Sequence, residues 1–280
     1  MLFRSDANPA FLPEEIGNLV VQPVERESVA AQAGTVVPTA SSTFRVPVVA
    51  ADPTASWTAE GAEIDVSSAT LDEVVVTPPK VAGLTIISAE LADDSDPAAS
   101  QIVGDGLARD IARQVDAAFF GSSDDDEQPS GLEDLAGVNT VDAGGEWANI
   151  DPFTLAIFSA ENVGATLTSW VASPDDAVQL AQLKEEEGSN KPLLQPDPTM
   201  PTRRMIGGVP MLVSPAVTPG VVWGIPADRA LVVRRTDTTL DVDRSAYFSS
   251  HRVGIRATMR VGFAFPHPAA IQRVALDMNS

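Results

Sequence analysis

Side chains able to do chemistry are few in this chain, and they do not converge. It has two histidines and no cysteine, so thiolate nucleophiles, Cys-ligated zinc and disulfide staples are all excluded. His251 stands at the entrance to an alternating run, and His267 is held between Pro266 and Pro268. A Ser-His-Asp triad would have to recruit one of them, yet no Gly-x-Ser-x-Gly elbow accompanies either. Strand-end packing is the better reading of both. The acidic runs 124–127 and 185–187 offer carboxylates, but consecutive side chains diverge, and they lack the alternate spacing and glycine of a calcium loop. Gly104-Asp-Gly106 is followed by Arg109 rather than a third glycine, and Gly207-Gly208 has no Lys-Ser/Thr after it. Neither cradles phosphate, and both pairs read as packing or turn residues. Trp57 and Glu60 resemble half of a carbohydrate-hydrolysis pair, but no second carboxylate is placed to complete it. No catalytic, cofactor or metal-binding residue emerges, and the chain reads as a non-enzyme that carries no cofactor.

Charge narrows the remaining classes. The net charge of -21 argues against a protein whose main task is gripping phosphate backbones, although it allows one that encloses DNA. Residues 1–140 hold 24 acids and 6 bases (net -18), whereas 141–280 hold 15 and 12 (net -3). Within 229–273 eight arginines face three aspartates, so one chain carries opposite charges that suit self-association. No apolar run reaches the length of a membrane span, and the N-terminus lacks the basic head and apolar stretch of a secretory signal. The expectation is a protein made in the cytosol.

The elements that would position these residues can be read from periodicity. Residues 1–38, punctuated by Pro9, Pro13, Pro23, Gly34 and Pro38, read as an arm with one short helix at 24–33. Extended segments follow at 44–49, 71–77 and 84–88 around a long excursion, and Pro47 suits an edge strand. A helix is expected from Pro97 to Phe120, with Asp96 as its N-cap. Val103, Leu107, Ile111, Val115 and Phe119 form a buried stripe along its whole length, and Asp105, Arg109, Asp110, Arg113 and Asp116 occupy the other side. Gly104 and Gly106 weaken this helix, and Gly121 ends it. Helical spacing recurs at 151–163 and 174–187, strands at 169–172, 209–214 and 221–225, with a proline-rich loop at 188–204. From Arg252 to Phe265 large apolar residues and Ala257 alternate strictly with arginines, glycines, Thr258 and Ala264, predicting a strand long for a globular domain, with Arg252, Arg256 and Arg260 on its polar face.

Trp57-Thr-Ala-Glu60-Gly61, an extended 71–77, Pro79-Lys80, Ser88-Ala-Glu90-Leu91, and Asp93-Asp-Ser95 leading into the long helix closed by Phe-Phe-Gly121 occur in this order. Trp170-Val-Ala-Ser-Pro174, Ile206-Gly-Gly-Val-Pro210, and the closing Arg252-Val-Gly-Ile-Arg256, Arg260-Val and Pro268-Ala-Ala-Ile271 continue it. Across nearly the whole chain this succession resembles the major capsid protein of tailed bacteriophages, the Hong Kong 97-like family. The resemblance implies an α+β fold divided into an N-terminal arm (1–38), an extended loop with its flanking strands (39–90), a peripheral-domain spine helix (91–128), an axial domain (129–226), a peripheral-domain sheet (227–268) and a strand returning to the axial domain (269–280). It implies assembly through hexamers and pentamers into an icosahedral shell enclosing double-stranded DNA, built in the bacterial host cytoplasm, with portal, scaffolding and decoration proteins as partners. An encapsulin-like nanocompartment shell shares the fold and is the alternative.

Many relatives carry an N-terminal scaffolding extension, whereas Met1 here opens at the arm, so scaffolding is expected to be separate or unnecessary. Some relatives form Lys–Asn crosslinks from the loop, but the only lysine nearby is Lys80 at its base, so no covalent crosslink is expected. The loop holds Asp52, Glu60, Glu63, Asp65, Asp72 and Glu73 with no base between Arg45 and Lys80. With Trp57, these acids are expected to meet Arg252, Arg256 and Arg260 of a neighbouring copy.

Overall fold

A computed structural model describes residues 24–51, 55, 57–58, 61, 70–90, 98–123, 127–186, 188–196, 204–243 and 245–276. In chain order its elements are α1 (Val29–Ala33), β1 (Thr35–Thr39), β2 (Phe44–Ala51), β3 (Thr70–Val76), β4 (Lys80–Ser88), α2 (Ala98–Phe120), β5 (Asn139–Asp142), α3 (Asp151–Asn162), β6 (Ser169–Ala172), α4 (Pro174–Gln182), β7 (Gln195–Pro196), β8 (Arg204–Ile206), β9 (Val209–Val213), β10 (Val221–Ile225), β11 (Leu231–Asp243), β12 (Arg252–Ala264) and β13 (Gln272–Ala275). The expected helix start at Asp96 and Pro97 lies outside the described residues.

The first layer is a four-stranded sheet in the order β1-β11-β12-β4. Strand β12 pairs antiparallel with both β11 and β4, and β1 adds in parallel along β11. Its alternation works as a two-residue period should: Val253, Ile255, Ala257, Met259, Val261 and Phe263 are buried, while Arg252 and Arg256 are exposed. The polar face is nonetheless covered near its end. A Cβ on Gly262 would lie 2.7 Å from Val76 Cγ1 and 3.3 Å from Pro78 Cα, so only glycine lets the chain leaving β3 pass directly over β12. Strands β2 and β3 form a separate two-stranded sheet. It sits on this spot through a small cluster of Val76, Val233 and Ala264 flanked by Phe44, Val46, Val74 and Leu231.

Helix α2 lies along the opposite, apolar face, so close to β4 that a Cβ on Gly83 would be 2.9 Å from Leu107 Cδ2. The stripe sinks progressively into the core: Val103 and Leu107 are half-buried, while Ile111, Val115 and Phe119 are buried. Burial is therefore uneven along a helix whose spacing predicts an evenly buried face. At the deep end Phe119 meets Phe120 and Phe263 edge-on, both at 5.0 Å, the geometry that aromatic quadrupoles favour. The Leu132 N–H then satisfies the Phe119 carbonyl at 2.8 Å, which seals the helix end. Among the described residues no neighbour lies within 4 Å of a Cβ placed on Gly104, and only the Arg109 side chain comes within that range of Gly106, so packing against those residues does not require either glycine.

The second layer is a seven-stranded sheet, β5-β13-β10-β6-β9-β8-β7, with the C-terminal strand β13 between β5 and β10. Strands β6 and β10 are buried at every position because both faces are covered. Trp223, Val171 and Ile225 join the core under α2, and Trp170, Val222 and Ala172 join a second core with α3 and α4. The two sheets thus share apolar packing through β10. Gly207 and Gly208, at φ 59° and 82°, make the two-residue turn between β8 and β9 that needs two left-handed residues. Helix α4 begins at Ser173, whose hydroxyl accepts from the Asp176 N–H at 3.1 Å. It ends at Gln182 rather than continuing to 187. Leu183 is extended there and its carbonyl accepts from the Leu193 N–H, so the chain leaves the helix to pair with the following loop.

Candidate assembly surfaces

Of the acidic excursion, Asp52, Glu60, Glu63 and Asp65 lie outside the described residues. Trp57 is fully exposed, at 106% of its reference area. Asp72 and Glu73 are exposed on β3, opposite Val48 and Pro47 of β2. Arg45 on β2 forms an ion pair with Glu73, so part of the hairpin's charge is answered within it. Pro47 sits on β2, which among the described residues pairs only with β3, leaving a free edge.

On β12 the three arginines share one face but differ in surroundings. Arg252 is exposed. Arg256 donates to Asp241 on β11 at 2.7 Å, with both side chains about half exposed. Arg260 is half-buried, already engaged, and in register with Lys80 and Arg235 on the flanking strands. The structure brings these arginines together on one surface but gives Arg256 an acidic partner inside its own subunit. The same face bears Leu84 opposite Arg256 and Ile86 opposite Gly254, exposed at 61% and 42%. A second apolar pair, Leu155 and Phe158 on α3, is 59% exposed at each residue. Helix α3 is apolar at nearly every turn, so its sequence pattern does not show which residues point outward.

Asp116 stands apart from its expected place on the solvent side of α2. It is buried and accepts the Ser28 hydroxyl at 2.6 Å and the Val29 and Ala30 N–H groups at 3.0 and 2.9 Å. It therefore caps α1, whose first turn has backbone donors to satisfy. Burial pushes its carboxyl above the usual carboxylate range, and the three hydrogen bonds pull it part of the way back. Periodicity along α2 could not reveal a partner 88 residues earlier. A comparable anchor is Asp176, which accepts from Trp147 Nε1 at 2.8 Å, from the Ser173 hydroxyl at 2.6 Å and from the Gly220 N–H at 2.9 Å.

His251, at φ 52°, is exposed, and its carbonyl accepts from the Ala89 N–H at the mouth of β4. His267 is half-buried before a short turn. Among the described residues no group of three or more His, Cys, Asp or Glu side chains gathers as a metal site, and no helix is long and apolar enough to cross a membrane.

The described residues form a mixed fold in which a long helix packs on a long-stranded sheet beside a second, seven-stranded sheet. The sequence profile of the phage capsid family matches residues 10–276, and the chain belongs to that family. No curated protein matches it in sequence. Its fold is similar to a solved structure titled as the capsid of a native GTA particle, at TM-score 0.70 and 18% identity over 99% of this chain and 94% of the other. It is also similar to structures from Mycobacterium phage Bobi (TM-score 0.72, 18% identity, 99% and 95% covered) and Gordonia phage Cozz (0.69, 18%, 90% and 87%).

Proposed function

We propose that this chain is the major subunit of a Hong Kong 97-type capsid, assembling through hexamers and pentamers into an icosahedral shell around packaged double-stranded DNA. The observation that carries the reading is the family match over residues 10–276, supported by a fold shared with a particle-derived capsid chain over 99% of this one. In this reading α2 and the four-stranded sheet form the peripheral domain, the seven-stranded sheet with α3 and α4 forms the axial domain, and the β2–β3 hairpin bears the extended loop. The protein serves as a structural component of the virion, put together in the bacterial cytoplasm. Portal, separate scaffolding and decoration proteins complete its set of partners.

The loop, with Trp57, Glu60, Glu63, Asp65, Asp72 and Glu73, lies against Arg252, Arg256 and Arg260 of a neighbouring subunit, and Arg256 exchanges Asp241 for an intersubunit partner. Leu84 and Ile86 supply apolar area at the same contact. Each exposed ion pair contributes only about 0.2–1 kcal/mol, but a closed shell repeats it at every contact. Electron microscopy of purified protein tests the reading: closed particles with fivefold and sixfold clusters are expected, whereas a small soluble oligomer would overturn it. Particles from infected cells that enclose protein cargo instead of DNA would favour a nanocompartment. Replacing residues 56–69 by a short Gly-Ser turn should leave folded subunits that form no shells. Glu60→Arg with Glu63→Arg should block assembly, and adding Arg256→Glu with Arg260→Glu should partly restore it. Normal assembly of the loop reversal at low salt would remove the clasp.

A further inference from the structure

Helix α1 has five residues, too few to be stable alone, and the apolar side chains it buries fully are only Ala30 and Ala33. It nevertheless occupies a pivotal position, between α2 on one side and strands β6 and β9 of the seven-stranded sheet on the other. It lies within the segment 1–38 read as the arm, is separated at Ser28 from helical residues 24–27, and leads into β1, which is zipped to β11. Its seating therefore depends heavily on polar contacts at its start. Those contacts converge on Asp116, with the Ser28 hydroxyl both donating to the carboxylate and accepting from the Ala31 N–H at 3.2 Å.

We propose that Asp116 is a proton-sensitive latch that holds α1 in the cleft between the two layers, and that α1 can leave this cleft without the subunit unfolding. The inference is independent of how, or whether, copies of the chain assemble. When α1 lifts, Asp116 meets water and titrates as an ordinary carboxylate. When α1 is seated, burial raises its proton affinity. Protons therefore bind the seated form more tightly, so acid tightens the latch and rising pH loosens it. Among the described residues the charged groups around the cleft are Glu25 and Glu27 from helical residues 24–27, Arg109 and Arg113 from α2, Arg234 from β11, which lies 3.3 Å from Glu25, and Arg204 from β8. The bordering segment 213–216 is Val-Ser-Pro-Ala and contributes no titratable group.

Hydrogen exchange on the full chain at several pH values tests this, comparing the Val29–Ala31 amides with those of Ile111–Phe119. In the wild type, protection of α1 should fall with rising pH beyond the intrinsic base-catalysed increase, while α2 stays protected. Asp116→Asn should abolish that extra pH dependence. Ser28→Ala should speed exchange at Val29–Ala31 roughly fivefold to tenfold, the equivalent of one lost hydrogen bond, with α2 unchanged. Identical pH dependence in Asp116→Asn, or α1 and α2 opening together at every pH, would overturn the latch. If Asp116→Asn does not fold, unchanged α1 protection in Ser28→Ala would overturn it equally.

Discussion

The deep end of α2 and the β2–β3 hairpin rest on opposite faces of the same strand, β12, and are held in different ways. Phe119, Phe120 and Val115 lie in a large core shared by both sheets. The hairpin stands on three buried residues and a glycine, and Asp72, Glu73 and Val75 face outward. A subunit built this way has a body whose packing decides whether it folds, and an outboard element whose root decides only where it points.

The contrast is tested most severely at the helix. Ile111→Asp buries an unpaired carboxylate and should abolish folding, with a loss above about 4 kcal/mol seen as missing cooperative melting. Phe119→Ala should cost about 3–5 kcal/mol in a denaturant titration. At the hairpin root, Gly262→Val must push Val76 and Pro78 away. It should cost about 1–3 kcal/mol, leave a folded subunit by circular dichroism and prevent shell closure. If Gly262→Val unfolds the chain as Ile111→Asp does, the hairpin belongs to the body and the distinction fails.

A smaller effect sharpens the picture on the helix side. Because burial raises Asp116 above its ordinary value of 3.8, the folded state holds the extra proton. The stability this provides is complete below that value and is lost as pH rises through the folded-state pKa. The denaturant midpoint of the wild type should decline across this window, and that of Asp116→Asn should decline less. The smallest effect belongs to the exposed sheet face: Arg256→Ala should change subunit stability by only about 0.2–1 kcal/mol, because its partnership with Asp241 is open to solvent.

Legibility in the sequence followed the strictness of the local pattern. Strand β12 and helix α2 were readable because one period governs each over many residues. Strand β11, as long as β12, gave little signal. Arg234-Arg235 and the Thr-Asp-Thr-Thr run break its alternation, and its register shifts between Arg235 and Thr239. Pairing on both edges makes it a strand. The surface residues divided likewise. The three arginines of β12 could be placed on one face from spacing alone, but Asp241 as the partner of Arg256 could not, because that contact is set by the pairing register. Asp116 fits the charged face of a helical wheel and is buried only because α1 arrives from a distant part of the chain.

The long ladder of β11, β12 and β4 also gives the subunit a directional stiffness. At about 3.3 Å per residue, thirteen-residue strands form a beam of roughly 43 Å. A pull along that beam loads many interstrand hydrogen bonds in shear at once, whereas a pull across its tip peels them apart one after another. The irregular stretch between Arg235 and Thr239 interrupts only the β11–β12 rungs, because β12 stays paired with β4 without a break from Arg252 to Arg260. Under load β4 should therefore act as a splint across that gap.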